Sequence, residues 1–420
     1  MDKLLVTGGS ELEGDIYTSG SKNSALPILA ATLLTRDRCV IRRVPDLSDT
    51  NYMVQILAAL GAHVERASGT VEVEAEKVIS EAPYELVRKM RASICVMGPL
   101  LARTGVANVS LPGGCVIGDR PVDLHLRGLE QLGADIKVEG GSIYVKAQDG
   151  MGDREINMRG KHGSTVLGTD NLMMAAVLTK GTTVIEGAAM EPEVKDLAHF
   201  LKAMGAKIEG AGTRRIVIEG VKELQGAEHT VIPDRIEAGT FIIAGAIAGK
   251  RLTVKRCNPA HMTAFLKSLT DSGYPVEVTS DSVTVSRAAS PRGGDIRTEP
   301  YPGFPTDMQA QFTALYANVP GISVITETIF PQRFMHAPEL NRMGAKITLE
   351  GPTAIIKGVD HLTGAPVMAS DLRASAALVL AGLMAKGETA VNRLYHIDRG
   401  YENIDEKLIM VGAKMRRVRE

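Results

Sequence analysis

Apolar positions along this 420-residue chain follow two alternating periods. Stretches with leucine, methionine or alanine at i, i+3 and i+4 give way, across a glycine, to short stretches in which apolar and polar residues alternate. That is the pattern of an amphipathic helix followed by a half-buried strand. The junction recurs six times: Leu57-Ala58-Ala59-Leu60-Gly61-Ala62, Leu129-Glu130-Gln131-Leu132-Gly133-Ala134, Leu201-Lys202-Ala203-Met204-Gly205-Ala206, a degenerate copy ending at Gly273, Leu340-Asn341-Arg342-Met343-Gly344-Ala345, and Leu408-Ile409-Met410-Val411-Gly412-Ala413. The six glycines are 72, 72, 68, 71 and 68 residues apart, so six similar units fill the chain. Each glycine is placed to end its helix in the left-handed conformation, and strands are predicted directly after it, as at 63–66, 135–139 and 346–350.

Every unit carries a second, more apolar helix, predicted at 24–34, 90–102, 170–178, 238–248, 307–317 and 371–384. Ala374-Ser375-Ala376-Ala377-Leu378-Val379-Leu380-Ala381-Gly382 is apolar nearly all round, as a helix enclosed by sheet must be. A strand follows each buried helix after a turn, as at 39–44, 182–186 and 322–327. With helices inside and strands able to face water on one side, three units close into one globule. The expected fold is therefore α/β: two globules of three repeats each, with sheets outward and helices at the centre. The stretch 4–17, read as one strand, precedes the first buried helix and is assigned to the second domain. The domains are then 22–231, and 1–21 with 232–420, with crossings near Gly20-Ser21 and Ile232 that act as a hinge. A hinged cleft suits a site that closes on its ligand and excludes water.

Composition narrows the class. A hydrophobic fraction of 44% and a charged fraction of 23% are those of a globular protein, and the length predicts two domains. Cationic and anionic residues nearly cancel, 48 against 49, so no global field attracts nucleic acid or an anionic membrane, and an anionic ligand needs local charge. Zero Trp leaves few stacking platforms for bases. The N-terminus reaches Gly8-Gly9 before a signal-peptide core forms, and no apolar run approaches the roughly 18 residues that span a bilayer. The expectation is a cytoplasmic protein with no membrane or nucleic-acid partner. Cys39, Cys95, Cys115 and Cys257 lie far apart without metal-ligand spacing, so neither a metal nor a disulfide framework is expected.

The segment Leu111-Pro112-Gly113-Gly114-Cys115-Val116-Ile117-Gly118-Asp119-Arg120-Pro121 changes the picture. Its glycines and prolines predict a loop, and it puts a thiol beside a guanidinium, the setting of a reactive cysteine. The other three cysteines read as packing residues. Lys22 and Asn23 stand at the start of a buried helix, where N–H groups and the dipole favour an anion, although Ser21 or Asn23 serves equally as a cap there with Lys22 solvated. Arg91 and Arg373 share an Arg-Ala-Ser pattern at two helix starts, and Arg399 lies in the polar turn 395–402. Cations so placed suit an oxyanion substrate, while any one alone equally makes a surface ion pair. Asp307 and Asp371 start buried helices, as caps or as proton acceptors. The phosphate-loop, dinucleotide, zinc-protease and serine-hydrolase motifs are absent.

Ser19-Gly20-Ser21-Lys22-Asn23-Ser24-Ala25-Leu26-Pro27, Met90-Arg91-Ala92-Ser93, and the segments 111–125, 304–312, 333–336, 371–375 and 395–402 together resemble the UDP-N-acetylglucosamine 1-carboxyvinyltransferase family over essentially the whole chain. The resemblance implies transfer of the enolpyruvyl group of phosphoenolpyruvate to the 3′-hydroxyl of UDP-N-acetylglucosamine, releasing phosphate by addition and elimination. This is the first committed step of peptidoglycan synthesis; the resemblance implies no cofactor, and the fold it implies is two inside-out α/β barrel domains of three repeats each. Cys115 is implied as the proton-donating thiol and the target of fosfomycin, a covalent inhibitor. Lys22, Arg120 and Arg399 are implied to hold phosphoenolpyruvate, and Asp307 to bind the sugar hydroxyl as its base. Asn23, Arg91, Pro121, Val122, Asp123, Leu124 and Ile329 are implied to contact the UDP-sugar, with Arg333, Asp371 and Arg373 nearby. Two departures stand out: Ser48 where a lysine is frequent, and an offset turn at Ser164-Thr165-Val166-Leu167-Gly168, which assigns Thr165 and Val166 to uridine. The alternatives are the related 3-phosphoshikimate transferase, whose phosphate motif is missing, and an inactive UDP-sugar-binding paralogue.

Overall fold

A computed structural model describes residues 2–111, 122–161 and 163–419; Cys115, Arg120 and Pro121 lie outside them. The chain divides into two compact units, one of residues 2–19 and 233–419, the other of residues 20–111 and 122–232. Each has its own apolar core.

Both units repeat one plan. In the last repeat of the 20–232 unit, Glu155–Asn157 lies parallel to Thr182–Glu186, which pairs antiparallel with Arg215–Glu219, and Lys207–Glu209 closes the far edge. The same order holds for Asp295–Arg297, Ile322–Thr326, Thr353–Lys357 and Lys346–Glu350 in the other unit. In the sheet of Val106–Ser110, Ser142–Ala147 and Ala134–Glu139 the parallel strand shrinks to a single bridge, Glu81 to Asn108. Each unit thus holds three separate sheets, and among the described residues none closes into a barrel.

The sheets surround helices that have no polar face. Arg235–Ala248, Gln309–Tyr316 and Leu372–Met384 pack on one another, and Leu372–Met384 is buried from Arg373 through Leu383. In the other unit these places are taken by Lys22–Ala31, Met97–Thr104 and Val166–Ala176. The outer helices end as the pattern predicts: Gly61, Gly133, Gly205, Gly273, Gly344 and Gly412 all have φ between 87° and 107°, where a Cβ would be strained.

The N-terminal stretch differs from the single strand expected at 4–17. Gly8-Gly9 breaks it into Lys3–Thr7 and Leu12–Tyr17, which join different sheets of the same unit. Leu12–Tyr17 is the parallel strand beside Gly249–Lys255. Lys3–Thr7 lies between Glu388–Asn392 and Lys414–Val418, antiparallel to both, in the place filled elsewhere by the second strand of a hairpin. Its following glycine confirms the equivalence: a Cβ on Gly8 would stand 1.8 Å from the Ala385 carbonyl, as one on Gly358 would stand 1.7 Å from that of Val319. The last repeat is completed by the first strand of the chain.

Ser19, the last residue of this N-terminal segment, is tightly held. Its N–H donates to Glu237 Oε2 at 2.6 Å and its hydroxyl to Glu402, while Lys407 Nζ donates to Ser19 Oγ and to Glu237 Oε1, both at 2.7 Å.

Candidate active site

The three buried helices of the 2–19 and 233–419 unit each start at an aspartate, and comparing them singles one out. Asp234 Oδ1 accepts from the N–H groups of Ile236 and Glu237, and Asp371 Oδ1 from those of Arg373 and Ala374. Both are ordinary N-caps. Asp307 lies in the 3-10 turn Thr306–Met308 ahead of its helix and caps nothing. Its Oδ1 instead accepts from Arg333 Nη2 at 2.7 Å and stands 3.5 Å from Arg373 Nε. The two guanidiniums are 8% and 4% exposed, whereas Asp307 keeps 27% of its side chain accessible. Burial pushes the Asp307 carboxyl up, but the charges of Arg373 and Arg333, aided by Arg235, outweigh it and hold the group below the usual carboxylate range.

A fully buried glutamate braces this arrangement. Glu327 Oε1 accepts from Thr298 Oγ1 at 2.7 Å and from the N–H groups of Ile329 and Phe330 at 2.8 and 3.0 Å; Oε2 accepts from Thr306 Oγ1 at 2.8 Å. Thr306 Oγ1 in turn accepts from Arg333 Nη1 at 3.0 Å. Glu327 therefore fixes both the turn carrying Ile329 and the residue before Asp307. Sequence reasoning missed it, for an acid ending a strand resembles any solvated strand end. Arg399 closes the 3-10 turn Leu394–Arg399, whose Asp398 is clamped by both terminal nitrogens of Arg417, at 3.0 and 2.8 Å.

The other unit also gathers the expected residues at its buried helix starts. Lys22 opens Lys22–Ala31, and its Nζ lies 3.0 Å from Oδ2 of Asp49, a nearly fully buried acid that sequence reasoning also missed. Lys22 is thus more than a solvated lysine behind a cap: Ser21 makes no side-chain cap bond. Asn23 beside it is half-buried. Arg91 opens the 3-10 segment Arg91–Val96. The junction of that segment with Met97–Thr104 is stitched by Asn171, which accepts from Gly98 N–H at 2.8 Å, donates to the Ile94 carbonyl at 2.9 Å, and meets His125 Nδ1 at 3.0 Å. Thr165 caps its helix by accepting from Gly168 N–H at 3.2 Å, with Val166 the first helical residue. Val122 precedes Asp123–Leu132, so Asp123 and Leu124 sit in its first turn.

Cys39, Cys95 and Cys257 are buried, and burial pushes their thiols up, to about 11 for Cys39 and Cys257. They stay protonated and inert near neutral pH. Among the described residues no cluster of three or more His, Cys, Asp or Glu is placed to hold a metal ion, and no helix is long and apolar enough to cross a membrane.

Residues 6–408 match the family model of EPSP synthase, 3-phosphoshikimate 1-carboxyvinyltransferase. The chain is 61% identical over 420 residues to a UDP-N-acetylglucosamine 1-carboxyvinyltransferase of Akkermansia muciniphila, covering 100% of this chain and 99% of that one. It is 59% identical over 418 residues to the protein of the same name in Methylacidiphilum infernorum, again covering 100% and 99%. Among solved structures, the enolpyruvyl transferase NikO of Streptomyces tendae matches with a TM-score of 0.90 at 28% identity, covering 99% of each chain. An EPSP synthase of Acinetobacter baumannii matches over 100% of each chain with a TM-score of 0.76 at 15% identity, a likeness of fold alone.

Proposed function

Because the chain belongs with the UDP-N-acetylglucosamine 1-carboxyvinyltransferases of the EPSP synthase family, we propose that it moves the enolpyruvyl group of phosphoenolpyruvate onto the 3′-hydroxyl of UDP-N-acetylglucosamine. The observation that carries this reading is Asp307, the one aspartate of three equivalent helix starts that caps nothing and is held ionised by two arginines. In the addition step the sugar oxygen bonds to C2 of phosphoenolpyruvate, its proton passes to Asp307, and C3 receives a proton from Cys115. In the elimination step C3 gives up a proton to the Cys115 thiolate left by the addition, the bond from C2 to the phosphate oxygen breaks, and phosphate leaves with the proton that Asp307 had taken. The arginines that keep Asp307 ionised also weaken it as a base, so proton uptake requires one of those pairs to loosen as the hydroxyl arrives.

Lys22, Arg120 and Arg399 receive the phosphate and carboxylate of phosphoenolpyruvate, and the Lys22–Asp49 pair holds that ammonium in place. Asn23, Arg91, Pro121, Val122, Asp123, Leu124, Thr165, Val166 and Ile329 contact the UDP-sugar, and Arg333, Asp371 and Arg373 shape the surroundings of Asp307. We read residues 22–231 as one catalytic domain and residues 1–21 with 232–420 as the other, and place the protein in the cytoplasm. No cofactor enters this scheme.

Phosphate release from phosphoenolpyruvate is the test. Release is expected only when UDP-N-acetylglucosamine is added, and no release with either this acceptor or shikimate 3-phosphate would overturn the reading. Fosfomycin is expected to add once per chain, at Cys115, because burial protects the other three thiols. Peptide mass mapping should locate the adduct there, and a Cys115→Asp variant should turn over without being inactivated.

A further inference from the structure

The buried Arg333 guanidinium forks between two partners: Nη2 donates to Asp307 Oδ1 at 2.7 Å and Nη1 to Thr306 Oγ1 at 3.0 Å. An arginine fork beside a carboxylate frequently takes both of its oxygens in two parallel bonds. Here a hydroxyl occupies the second nitrogen. The direction of each proton in this contact is fixed, because a guanidinium only donates and Thr306 must accept from it. The Thr306 proton is spent on Glu327 Oε2 at 2.8 Å. Glu327, itself fully buried, takes its other donors on Oε1: the Thr298 hydroxyl and the N–H groups of Ile329 and Phe330. The Phe330 ring centroid lies 5.8 Å from the Arg333 guanidinium, so the contacts close a loop from Glu327 through Phe330, Arg333 and Thr306 back to Glu327.

Asp307 keeps one oxygen clear as a result. The Arg333 bond and the closest approach of Arg373, at 3.5 Å, both fall on Oδ1, and among the described residues none donates a hydrogen bond to Oδ2. We infer that Thr306 and Glu327 are positioning residues for the reaction: Glu327 takes the Thr306 proton, Thr306 occupies Arg333 Nη1, and Asp307 Oδ2 stays open to the sugar hydroxyl. The same buried carboxylate holds the N–H groups of Ile329 and Phe330, so it ties the open oxygen to the turn read as meeting the UDP-sugar.

This inference rests on the reading of Asp307 as the group that takes the sugar proton. Thr306→Val keeps the shape of the side chain but removes the acceptor for Arg333 and the donor to Glu327. Nη1 is then able to turn to Oδ2 and close the carboxylate in a two-bond fork. A hydrogen bond to a charged group is worth about 10-fold or more in rate, so kcat is expected to fall about 10-fold while KM for UDP-N-acetylglucosamine changes less than about 2-fold. Thr306→Ser, which retains the hydroxyl, is expected to keep kcat within about 2-fold of wild type. Glu327→Gln offers one acceptor oxygen in place of two and cannot serve both Thr306 and the Ile329 turn. Its expected result is a kcat about 10-fold lower together with a KM for UDP-N-acetylglucosamine at least about 3-fold higher. A merely structural role lowers the thermal midpoint of Thr306→Val and leaves kcat per folded chain unchanged. That result overturns the inference, as does a Thr306→Ser variant as slow as Thr306→Val.

Asp307→Asn is measured in parallel. If it loses turnover while Thr306→Val and Glu327→Gln keep wild-type kcat, the positioning role is overturned and the reading of Asp307 stands. Wild-type turnover in Asp307→Asn overturns both. Should Glu327→Gln fail to fold, the Thr306→Val and Thr306→Ser pair decides the matter alone.

Discussion

Replacing Asp307 with asparagine is expected to lower turnover by about 10²- to 10⁴-fold, the usual contribution of a positioned proton acceptor. An asparagine oxygen still accepts from Arg333, but it carries no charge and takes up no proton. The substitution also leaves two guanidiniums of 8% and 4% exposure without their shared anion, which costs about 1–3 kcal/mol of stability. Asp371→Asn makes the contrast, because asparagine caps a helix as well as aspartate does and stability should stay within about 0.5 kcal/mol. Steady-state kinetics and urea unfolding of both variants supply the check. A wild-type rate in Asp307→Asn would remove this residue from the reaction.

Two buried groups of the same unit are expected to pull stability in opposite directions as pH changes. Glu237 is raised to about 7 by burial, which outweighs the opposing Lys407. Its unfolded form releases its proton near pH 4.5, so between about 4.5 and 7 the native state binds the extra proton and stability falls as pH rises. His336 is lowered to about 4 by burial, with Asp371 opposing and Arg333 assisting. Between about 4 and 6.5 the unfolded state binds the extra proton, and stability rises with pH. Each effect amounts to about 3 kcal/mol across its window. Urea titrations at several pH values should show the Glu237→Gln curve climbing relative to wild type up to about pH 7, and the His336→Gln curve falling relative to wild type up to about pH 6.5. Curves parallel to wild type would show that these two groups do not titrate on unfolding. The bonds from Lys407 and Ser19 to both Glu237 oxygens fit the ionised form.

How far the sequence speaks depends on whether a feature is local. Helix ends were legible because a left-handed glycine after an apolar i, i+3 pair is decided within one turn, and all six glycines adopt that geometry. The buried helices were legible because alanine and leucine on every face leave no side for water. The split of the stretch 4–17 was not, because alternation marks a strand without naming its partner, and the partners of Lys3–Thr7 lie nearly 400 residues away. Among the site residues, Lys22, Arg91, Asp307 and Arg373 stood out as charges in apolar surroundings. Asp49 and Glu327 did not: each looks like a polar residue at an element boundary, and only the fold brings Lys22 to one and the Thr298, Thr306 and Ile329 segments to the other.

The strand Lys3–Thr7, paired on both sides with the C-terminal repeat, sets an order of events during synthesis. Residues 20–232 hold the strands of their own sheets, so this unit is able to fold as soon as it leaves the ribosome. Lys3–Thr7 emerges before that unit yet waits for Lys414–Val418 before its sheet is complete. Until Glu388–Asn392 and Lys414–Val418 follow, the apolar strand Lys3–Thr7 has both edges unpaired, an aggregation hazard that lasts for most of translation. Removing Lys3–Thr7 or Lys414–Val418 would therefore open the same sheet, and these two segments carry a shared burden that their distance in sequence conceals.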